Sequence, residues 1–292
     1  MVKKRFCMAI PASVVSDTPH LREKTSKIGL IGRAAAIFKV DEIIIFPDTV
    51  GASQKDEIDT VCTLLTYLET PQYLRKRLFK LSPNLQYAGI LPPLRTPHHP
   101  LNRQARELKV GEFREAVTLS KTGNQAFVDI GVERPALIKS GNPVIGKRLT
   151  VKIVKAGEPV LVEVANRDEA PAYWGYTVAV EKFPFGSFLE NGGFDLTIAT
   201  SKYGSAFVEV ARRIAERWED ADSVLVAFGA PSQGLHEIVE REGRRLNELV
   251  DFVVNMVPSQ GTETVRTEEA VIASLAILHV NIVSALKPQP SF

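Results

Sequence analysis

Two loops near the C-terminal end of the sequence have the composition of a ligand pocket. The first loop is Phe228-Gly229-Ala230-Pro231-Ser232-Gln233-Gly234, and the second is Asn255-Met256-Val257-Pro258-Ser259-Gln260-Gly261. Each follows a short apolar run that predicts a buried strand, so both should lie at strand carboxyl ends, where open α/β sheets bind ligands. Glycine and proline permit sharp turns there and expose backbone N–H groups. One such loop would most simply connect a strand to a helix. Because the two loops have nearly the same pattern, we interpret them as two sides of one ligand pocket.

Arg33 is the residue that we select as a candidate for catalysis or substrate binding. A helix is predicted from Leu21 to Val40, and the apolar residues Ile28, Ile31 and Ala35 recur in it at helical spacing. Arg33 then points away from this buried stripe, where its guanidinium is able to hold a phosphate or to stabilise negative charge on a carbonyl oxygen. An ordinary surface arginine is the alternative.

Two glycines interrupt the same predicted helix. Gly29 and Gly32 are costly inside a helix because glycine loses more backbone freedom than any other residue. They predict either the close approach of another chain or an RNA backbone, or a helix that begins only after them.

The basic residues are concentrated in the middle of the sequence. Residues 71–165 hold 16 Lys or Arg and 7 Asp or Glu, a net charge of +9, whereas the whole chain carries +2. Such an excess attracts a phosphate backbone through counterion release, so nucleic acid is the favoured partner and a solvated basic face is the alternative. The predicted RNA-binding residues are Arg75, Lys76, Lys147, Arg148 and Lys152.

Metal, redox and membrane roles are not favoured. Cys7 and Cys62 are too far apart for a Cys-x-x-Cys motif. His98 and His99 are adjacent between prolines and cannot share one helix face as paired metal ligands, so we predict no metal site. No apolar stretch approaches the about 18 residues of a membrane span, and the start of the chain does not resemble a signal peptide. We therefore expect a cytoplasmic protein without a membrane partner.

The order of predicted elements indicates one α/β domain interrupted by a small β-barrel. An alternating α/β pattern occupies residues 1–92 and returns over residues 166–292, whereas residues 93–165 are β-rich after a run of prolines. Several short strands in so few residues are typical of an OB-like barrel, which we predict to bind RNA. Its four predicted strands are Phe113 to Leu119, Gln125 to Ile130, Leu149 to Val154 and Val160 to Val164.

The second loop is followed by the segment Val265-Arg266-Thr267-Glu268. This segment is similar to the signature of bacterial rRNA uridine-N3 methyltransferases, and here the chain resembles the SPOUT class of S-adenosylmethionine-dependent RNA methyltransferases. Other segments resemble an archaeal and eukaryotic SPOUT branch with an inserted β-barrel. They are Ile10-Pro11-Ala12-Ser13, Gly32-Arg33-Ala34-Ala35-Ala36-Ile37-Phe38, Thr70-Pro71-Gln72-Tyr73-Leu74-Arg75 and Leu91-Pro92-Pro93-Leu94. The resemblance implies a trefoil knot around the cofactor, an exception to the usual absence of knots.

The resemblance also implies roles for individual residues. Arg33 lies where SPOUT enzymes carry a functional arginine, and Arg266 is the second catalytic candidate, although the cofactor pocket or a dimer contact are alternative roles for it. The residues implied to bind S-adenosylmethionine are Phe228, Gly229, Ala230, Pro231, Asn255, Met256, Val257, Pro258, Gln260, Gly261 and Val265. The implied activity is methylation of N3 of a uridine in rRNA. The alternative is a noncatalytic RNA-binding protein that retains a relic knot.

A homodimer is a further expectation from the resemblance, because the last helix of SPOUT proteins commonly contributes to a dimer interface. That helix is predicted from Thr267 to Ala285, and its apolar residues form a broad surface that could instead be core. One stripe comprises Val271, Leu275, Leu278 and Ile282, and beside it lie Ile272, Ala276, His279 and Val283.

Overall fold

The computed structural model describes residues 4–283, without the side chains of Ile282 and Val283. Within this range the chain forms two compact units. The first, which we call the sheet unit, contains residues 4–66, 86–92 and 176–283; the second, the barrel unit, contains residues 67–85 and 93–175. The barrel unit also contains residues 67–85 and 166–175, which the predicted boundaries assign to the α/β domain. The predicted domain boundaries remain a prediction.

The sheet unit is built on a six-stranded sheet in which every pair of neighbours is parallel. Its central strands are continuous apolar runs that are buried along most of their length, as expected where both faces of a parallel sheet are covered. The strands are β1 Arg5–Pro11, β2 Glu42–Phe46, β8 Thr177–Val180, β9 Leu196–Ala206, β10 Ser223–Ala227 and β11 Phe252–Asn255, and their spatial order is β11-β9-β10-β1-β2-β8.

The helices predicted at Leu21 to Val40 and from Thr267 are present, the first with its end shifted to Ile37. The α-helices are α1 Leu21–Ile37, α2 Lys55–Glu69, α3 Gln72–Leu78, α4 Phe185–Asn191, α5 Phe207–Asp220, α6 Leu235–Glu240, α7 Leu246–Leu249 and α8 Thr267–Leu278. After α8 the chain continues as one π-helical turn over His279–Val283, and the predicted extension to Ala285 lies outside the described residues. Among residues 4–283 no helix combines the length and apolar character needed to cross a membrane, and a cytoplasmic location stays a prediction.

Packing inside the chain explains Gly29, one of the two glycines of α1. The helix runs through both positions, so the expectation that it begins after them was wrong. A Cβ atom on Gly29 would lie 2.8 Å from Cδ of Pro92 and 3.1 Å from a methyl carbon of Leu91. Segment 86–92 therefore makes the close approach at Gly29, in place of the predicted RNA backbone or second chain.

The barrel unit contains a closed five-stranded barrel, which confirms the predicted β-rich middle. Its strands are β3 Phe113–Thr122, β4 Gln125–Asp129, β5 Ala136–Ile138, β6 Arg148–Lys155 and β7 Leu161–Ala165, in the order β3-β4-β5-β7-β6. Small and β-branched residues such as Ala116, Val128 and Val151 fill its core. Phe113 and Phe127 lie outside this core, and Phe127 is 38% exposed.

Candidate active site

A cavity of about 300 Å³ opens where three neighbouring strands of the sheet end. Strands β11, β9 and β10 are adjacent and parallel, so the loops that follow them meet at one edge, where open α/β sheets bind ligands. The first residues of α8 close another side. The lining residues are Thr200 to Tyr203, Phe228 to Gly234, His236, Glu237, Asn255 to Val257, Gln260, Thr264, Val265, Thr267, Ala270 and Ser274.

The middle of β9 forms a wall of the cavity that sequence reasoning missed. Thr200 to Tyr203 line it, yet they contain neither glycine nor proline and continue an apolar strand. Their position depends on pairing with β11, whose register jumps from Ala199 opposite Val253 to Ser205 opposite Val254. The residues between bulge out of the ladder. The one sequence signal is Gly204, because a Cβ atom there would lie 2.6 Å from the backbone of Val253.

Hydrogen bonds tie the walls of the cavity to one another. The Thr200 hydroxyl donates to the carbonyl of Ala227 at 2.9 Å, which joins β9 to β10. Asn255 Nδ2 donates to the carbonyl of Lys202 at 3.1 Å, which joins β11 to β9. These bonds fix the backbone before any ligand binds, as a binding site made largely of main-chain groups requires.

The start of α8 is joined to the first glycine loop. The hydroxyl of Thr267 donates to the carbonyl of Gly229 at 3.1 Å. The loop turns back on itself, since the N–H of Ala230 donates to the carbonyl of Gln233 at 2.9 Å. A Cβ atom on Gly229 would lie 3.1 Å from Cα of Gly234, so a side chain there would require the backbone of the turn to shift by a few tenths of an ångström.

The cavity contains buried polar atoms that lack hydrogen-bond partners among the described residues. They are Gln233 Oε1, His236 Nε2 and Ser274 Oγ. A buried polar group without a partner costs about 1–3 kcal/mol, so these three atoms are available to hydrogen-bond a polar ligand or water in the cavity. Asp48 fixes the orientation of the Gln233 side chain, because Gln233 Nε2 donates to the buried carboxylate of Asp48 at 3.3 Å.

Most of the predicted cofactor residues lie together at this cavity. Phe228, Gly229, Ala230, Pro231, Asn255, Met256, Val257, Gln260 and Val265 line it. Pro258 and Gly261 do not, and a Cβ atom on Gly261 would meet open space. The loop around them is held by Gln260, whose Nε2 donates to the carbonyls of Thr262 at 2.8 Å and Glu263 at 3.0 Å.

The two catalytic candidates do not line the cavity. Arg33 is half-buried on α1. Arg266 is exposed immediately before α8, and its backbone N–H donates to the Glu269 carboxylate at 2.9 Å. Helices α1 and α8 pack together, and Lys27 of α1 lies 3.3 Å from a carboxylate oxygen of Glu268. Both arginines thus belong to the helix pair beside the cavity, and their roles stay predictions.

The predicted RNA-binding residues of the barrel unit divide into two groups. Lys76 and Lys147 are exposed, and Lys152 is half-buried with its ammonium 5.7 Å from the ring centre of Phe113. Arg75 instead donates to the carbonyls of Thr70 and Leu68 within its own unit. The guanidinium of Arg75 also lies over the ring of Tyr67, so it contacts groups of its own unit.

Arg148 lies in a buried ion network, which differs from the exposed phosphate contact that we predicted. Its Nη1 is 2.5 Å from an oxygen of Glu69, and its Nε donates to Glu115. These carboxylates outweigh the effect of burial and raise the pKa of Arg148. The guanidinium is therefore compensated inside the protein, and we no longer assign it to RNA. Among residues 4–283 we find no group of three or more His, Cys, Asp or Glu that could hold a metal ion.

The sequence of nearly the whole chain matches a known protein family. Residues 5–278 match the family described as "Putative RNA methyltransferase". The chain belongs to this family. It is 34% identical over 309 residues to the 28S rRNA (uridine-N(3))-methyltransferase of Homo sapiens, an alignment that covers 95% of this chain and 78% of the relative. The mouse protein of the same name is 36% identical, with 93% and 75% covered. An uncharacterised protein of Halobacterium salinarum is 34% identical, with 92% and 96% covered.

Proposed function

We propose that this protein is an S-adenosylmethionine-dependent methyltransferase that methylates N3 of a uridine in rRNA. The observation that carries the proposal is the cavity at the ends of β9, β10 and β11, with its fixed backbone and its unpartnered polar atoms. Membership of an RNA methyltransferase family supplies the class of reaction. The names of the human and mouse relatives supply the nucleoside and the class of RNA.

The residues of the cavity fit S-adenosylmethionine. Backbone groups of residues 228–230 and 255–257 would hold the adenine and ribose, between the apolar walls of Phe228, Met256 and Val265. Gln233, His236 and Ser274 present one unpartnered polar atom each, enough to pair with hydroxyl, amino or carboxylate groups. The bound cofactor would supply an electrophilic methyl group, and the protein would align the uridine nitrogen with it.

The substrate nitrogen must lose a proton before it is methylated, and the negative charge then spreads to the neighbouring uracil oxygens. A guanidinium near these oxygens would stabilise that charge in the manner of an oxyanion hole. We assign this role to Arg33 and leave Arg266 as the alternative. The exposed Lys76 and Lys147, with Lys152, would attract the RNA backbone.

The path of the chain supports the proposed trefoil knot of a SPOUT protein. Strand β11 is at one edge of the sheet. The helix that follows it, α8, packs on α1. Helix α1 connects β1 to β2, and these two strands lie on the other side of β10 from β11. Thr267 at the start of α8 bonds to the loop after β10. In the barrel, the order β3-β4-β5-β7-β6 with one parallel pair, β5 with β7, supports the proposed OB-like topology.

We also propose a homodimer with the segment around α8 at its interface. Val271, Leu275 and Leu278 are buried in the chain's own core, so Leu278→Glu would test folding. Ile272 and Val280 are 41% and 67% exposed on the same helical segment and offer a contact for a partner.

Ile272→Glu is expected to convert the dimer to monomers, because a charge in an apolar interface is left without a partner. Light scattering at micromolar concentration would measure the mass. Val208→Glu, at a residue that is 81% exposed on α5, is the control and should leave the mass unchanged. A wild-type monomer would contradict the dimer.

The cofactor assignment is tested by a matched pair of glycine substitutions. Gly229→Ala should weaken binding of S-adenosylhomocysteine by about tenfold or more, because its Cβ would press on the turn at residues 233–235. Gly261→Ala should bind as the wild type does, since nothing lies within 4 Å of its added methyl group. Calorimetry would measure both. Absence of binding to the wild-type protein would favour the noncatalytic RNA-binding alternative.

A further inference from the structure

A second cavity, of about 200 Å³, lies wholly within the barrel unit. It is lined by residues of α3, of segment 93–103 and of the turn after β4, among them Tyr73, Arg95, His99, Leu101 and Arg103. We propose that this cavity binds one unstacked base of a single-stranded RNA segment, with Arg95 and Arg103 on the adjoining phosphates. The proposal rests on the proposed function only in taking RNA as the substrate.

Tyr73 provides an aromatic wall that is fixed before RNA binds. Its hydroxyl donates to the carbonyl of Glu115 at 2.8 Å. Its ring packs against Gly131, where the backbone has φ +84° and an added Cβ would lie 2.6 Å from Cγ of the ring. A tyrosine held at both ends loses little freedom on binding, and stacking on an aromatic ring is the usual way in which proteins hold unpaired bases.

Arg95 and Arg103 form an uncompensated cationic rim. Both are exposed, and among the described residues neither forms an ion pair with a carboxylate. Other arginines of the barrel unit do, such as Arg77 with Asp129 and Arg134 with Glu158. Arg95 also adopts φ 55°, an uncommon and costly conformation for a residue with a side chain, of the kind that clusters at functional sites.

His99 gives the cavity a neutral polar group. Its Nε2 lies 2.7 Å from the carbonyl of Glu69 and donates to it, so the other ring nitrogen is an acceptor when the ring is neutral. Burial, with help from the neighbouring His98, lowers the pKa of His99 to about 3, which keeps the ring neutral at pH 7. A neutral acceptor suits the N–H groups on the edge of a base, whereas a third cation would suit only phosphate.

Size and wall chemistry favour a base over an anion alone. At about 200 Å³ the cavity is smaller than the about 300–1,000 Å³ of pockets for drug-sized ligands, which leaves room for one planar ring with its phosphates at the rim. Pro93, Pro100 and Leu101 give it apolar walls, and Leu101 is 74% exposed. Bases stacked in a duplex could not enter, so the partner is a single strand or a loop.

The test measures binding of a fluorescent single-stranded oligouridylate to the full-length protein. The double variant Arg95→Asn and Arg103→Ala should bind about tenfold or more weakly and should reduce the salt slope by about 1.4, for two lost phosphate contacts. Asparagine tolerates the left-handed backbone at position 95. Arg106→Ala is the control, because Arg106 is exposed three residues beyond Arg103 and does not line the cavity.

A second pair of variants tests base stacking. Tyr73→Phe should bind as the wild type does, whereas Tyr73→Leu should lose about tenfold in affinity. Ultraviolet cross-linking of an oligonucleotide that contains 5-iodouridine should label Tyr73, as peptide mass spectrometry would show. Unchanged binding of the Arg95 and Arg103 variant, or equal losses in it and in Arg106→Ala, would overturn the proposal.

The two proposals fail separately. Oligouridylate binding that depends on this cavity, without methylation of rRNA by the wild-type protein, would leave the subsite standing and remove the proposed enzyme. Methylation by the wild-type protein with unchanged affinity and KM in the Arg95 and Arg103 variant would remove the subsite alone.

Discussion

Arg33→Ala is expected to reduce methylation of rRNA by about 10²–10³-fold, the usual effect of removing one donor that stabilises charge in the transition state. The affinity for S-adenosylhomocysteine should stay unchanged, because Arg33 does not line the cofactor cavity. The charge develops on the uracil oxygens as N3 is deprotonated, and alanine offers it no donor. Initial rates would be followed by nucleoside digestion and mass spectrometry, with calorimetry as the measure of cofactor binding.

The controls separate a catalytic role from a general effect of charge. Arg22→Ala removes an exposed arginine from the same helix and should retain full turnover. Arg33→Lys should recover only part of the rate because it keeps the charge and loses the planar fork. Full activity of Arg33→Ala together with loss in Arg266→Ala would move the role to Arg266. A methyl group found on ribose or guanine would contradict the assigned product.

The sheet was predictable where local sequence determines burial on both faces. The runs Glu42–Phe46 and Ser223–Ala227 have the continuous apolar pattern of buried strands, and both form strands of the sheet. Two strands were missed, Thr177–Val180 and Ala136–Ile138. The first is an edge strand whose residues are exposed or half-buried, and the second has only three residues. Their structure comes from pairing with distant strands, which local periodicity does not record.

The cofactor cavity was predictable in part for a related reason. Glycine and proline identify the loops after β10 and β11, because those residues permit turns that others resist. The wall formed by Thr200 to Tyr203 has no such residues and is positioned by the register shift against β11. The unpartnered polar atoms of His236 and Ser274 could not be recognised either, since burial of a polar atom is a property of the assembled fold.

Arg148 illustrates how charge alone misleads. The sequence shows a cation beside Lys147 in a basic region, and nothing nearby indicates a partner. The partner Glu69 lies 79 positions earlier, at the end of α2. Only the fold brings the two together, so the energetics of this pair can be argued only from the structure.

Arg148→Met is expected to destabilise the barrel unit by about 3–5 kcal/mol, the usual cost of removing one partner from a buried ion pair. Among the described residues, the charged partners left to the buried carboxylate of Glu69 are then His98 and the more distant Arg167. Glu115 would retain bonds from Thr150 and from Trp174 Nε1 at 2.6 Å. Urea unfolding followed by the fluorescence of Trp174, in a Trp218→Phe background, would measure the change.

Matched variants distinguish the buried pair from an exposed one. Arg134→Ala breaks the pair with Glu158, in which both side chains are about two-thirds exposed or more, and should cost less than about 1 kcal/mol. The double variant Glu69→Gln and Arg148→Met should be more stable than the sum of the two single changes predicts, because it removes the buried charge of Glu69 that Arg148→Met alone leaves without its partner.

The pH dependence gives the clearest signature of the pair. Burial tends to raise the pKa of Glu69, but Arg148 and His98 outweigh it and hold that pKa at about 2, below its ordinary value of 4.5. A carboxyl group with a lowered pKa in the folded state stabilises fully above pH 4.5, and this contribution is lost as the pH falls towards 2. Without Arg148 the folded pKa of Glu69 rises, and the neutral acid tolerates burial. The difference in unfolding free energy between the wild type and Arg148→Met should therefore shrink as the pH falls from 4.5 towards 2. If this difference in unfolding free energy stays constant between pH 4.5 and 2, Arg148 stabilises the barrel unit by packing and its attraction to Glu69 contributes nothing.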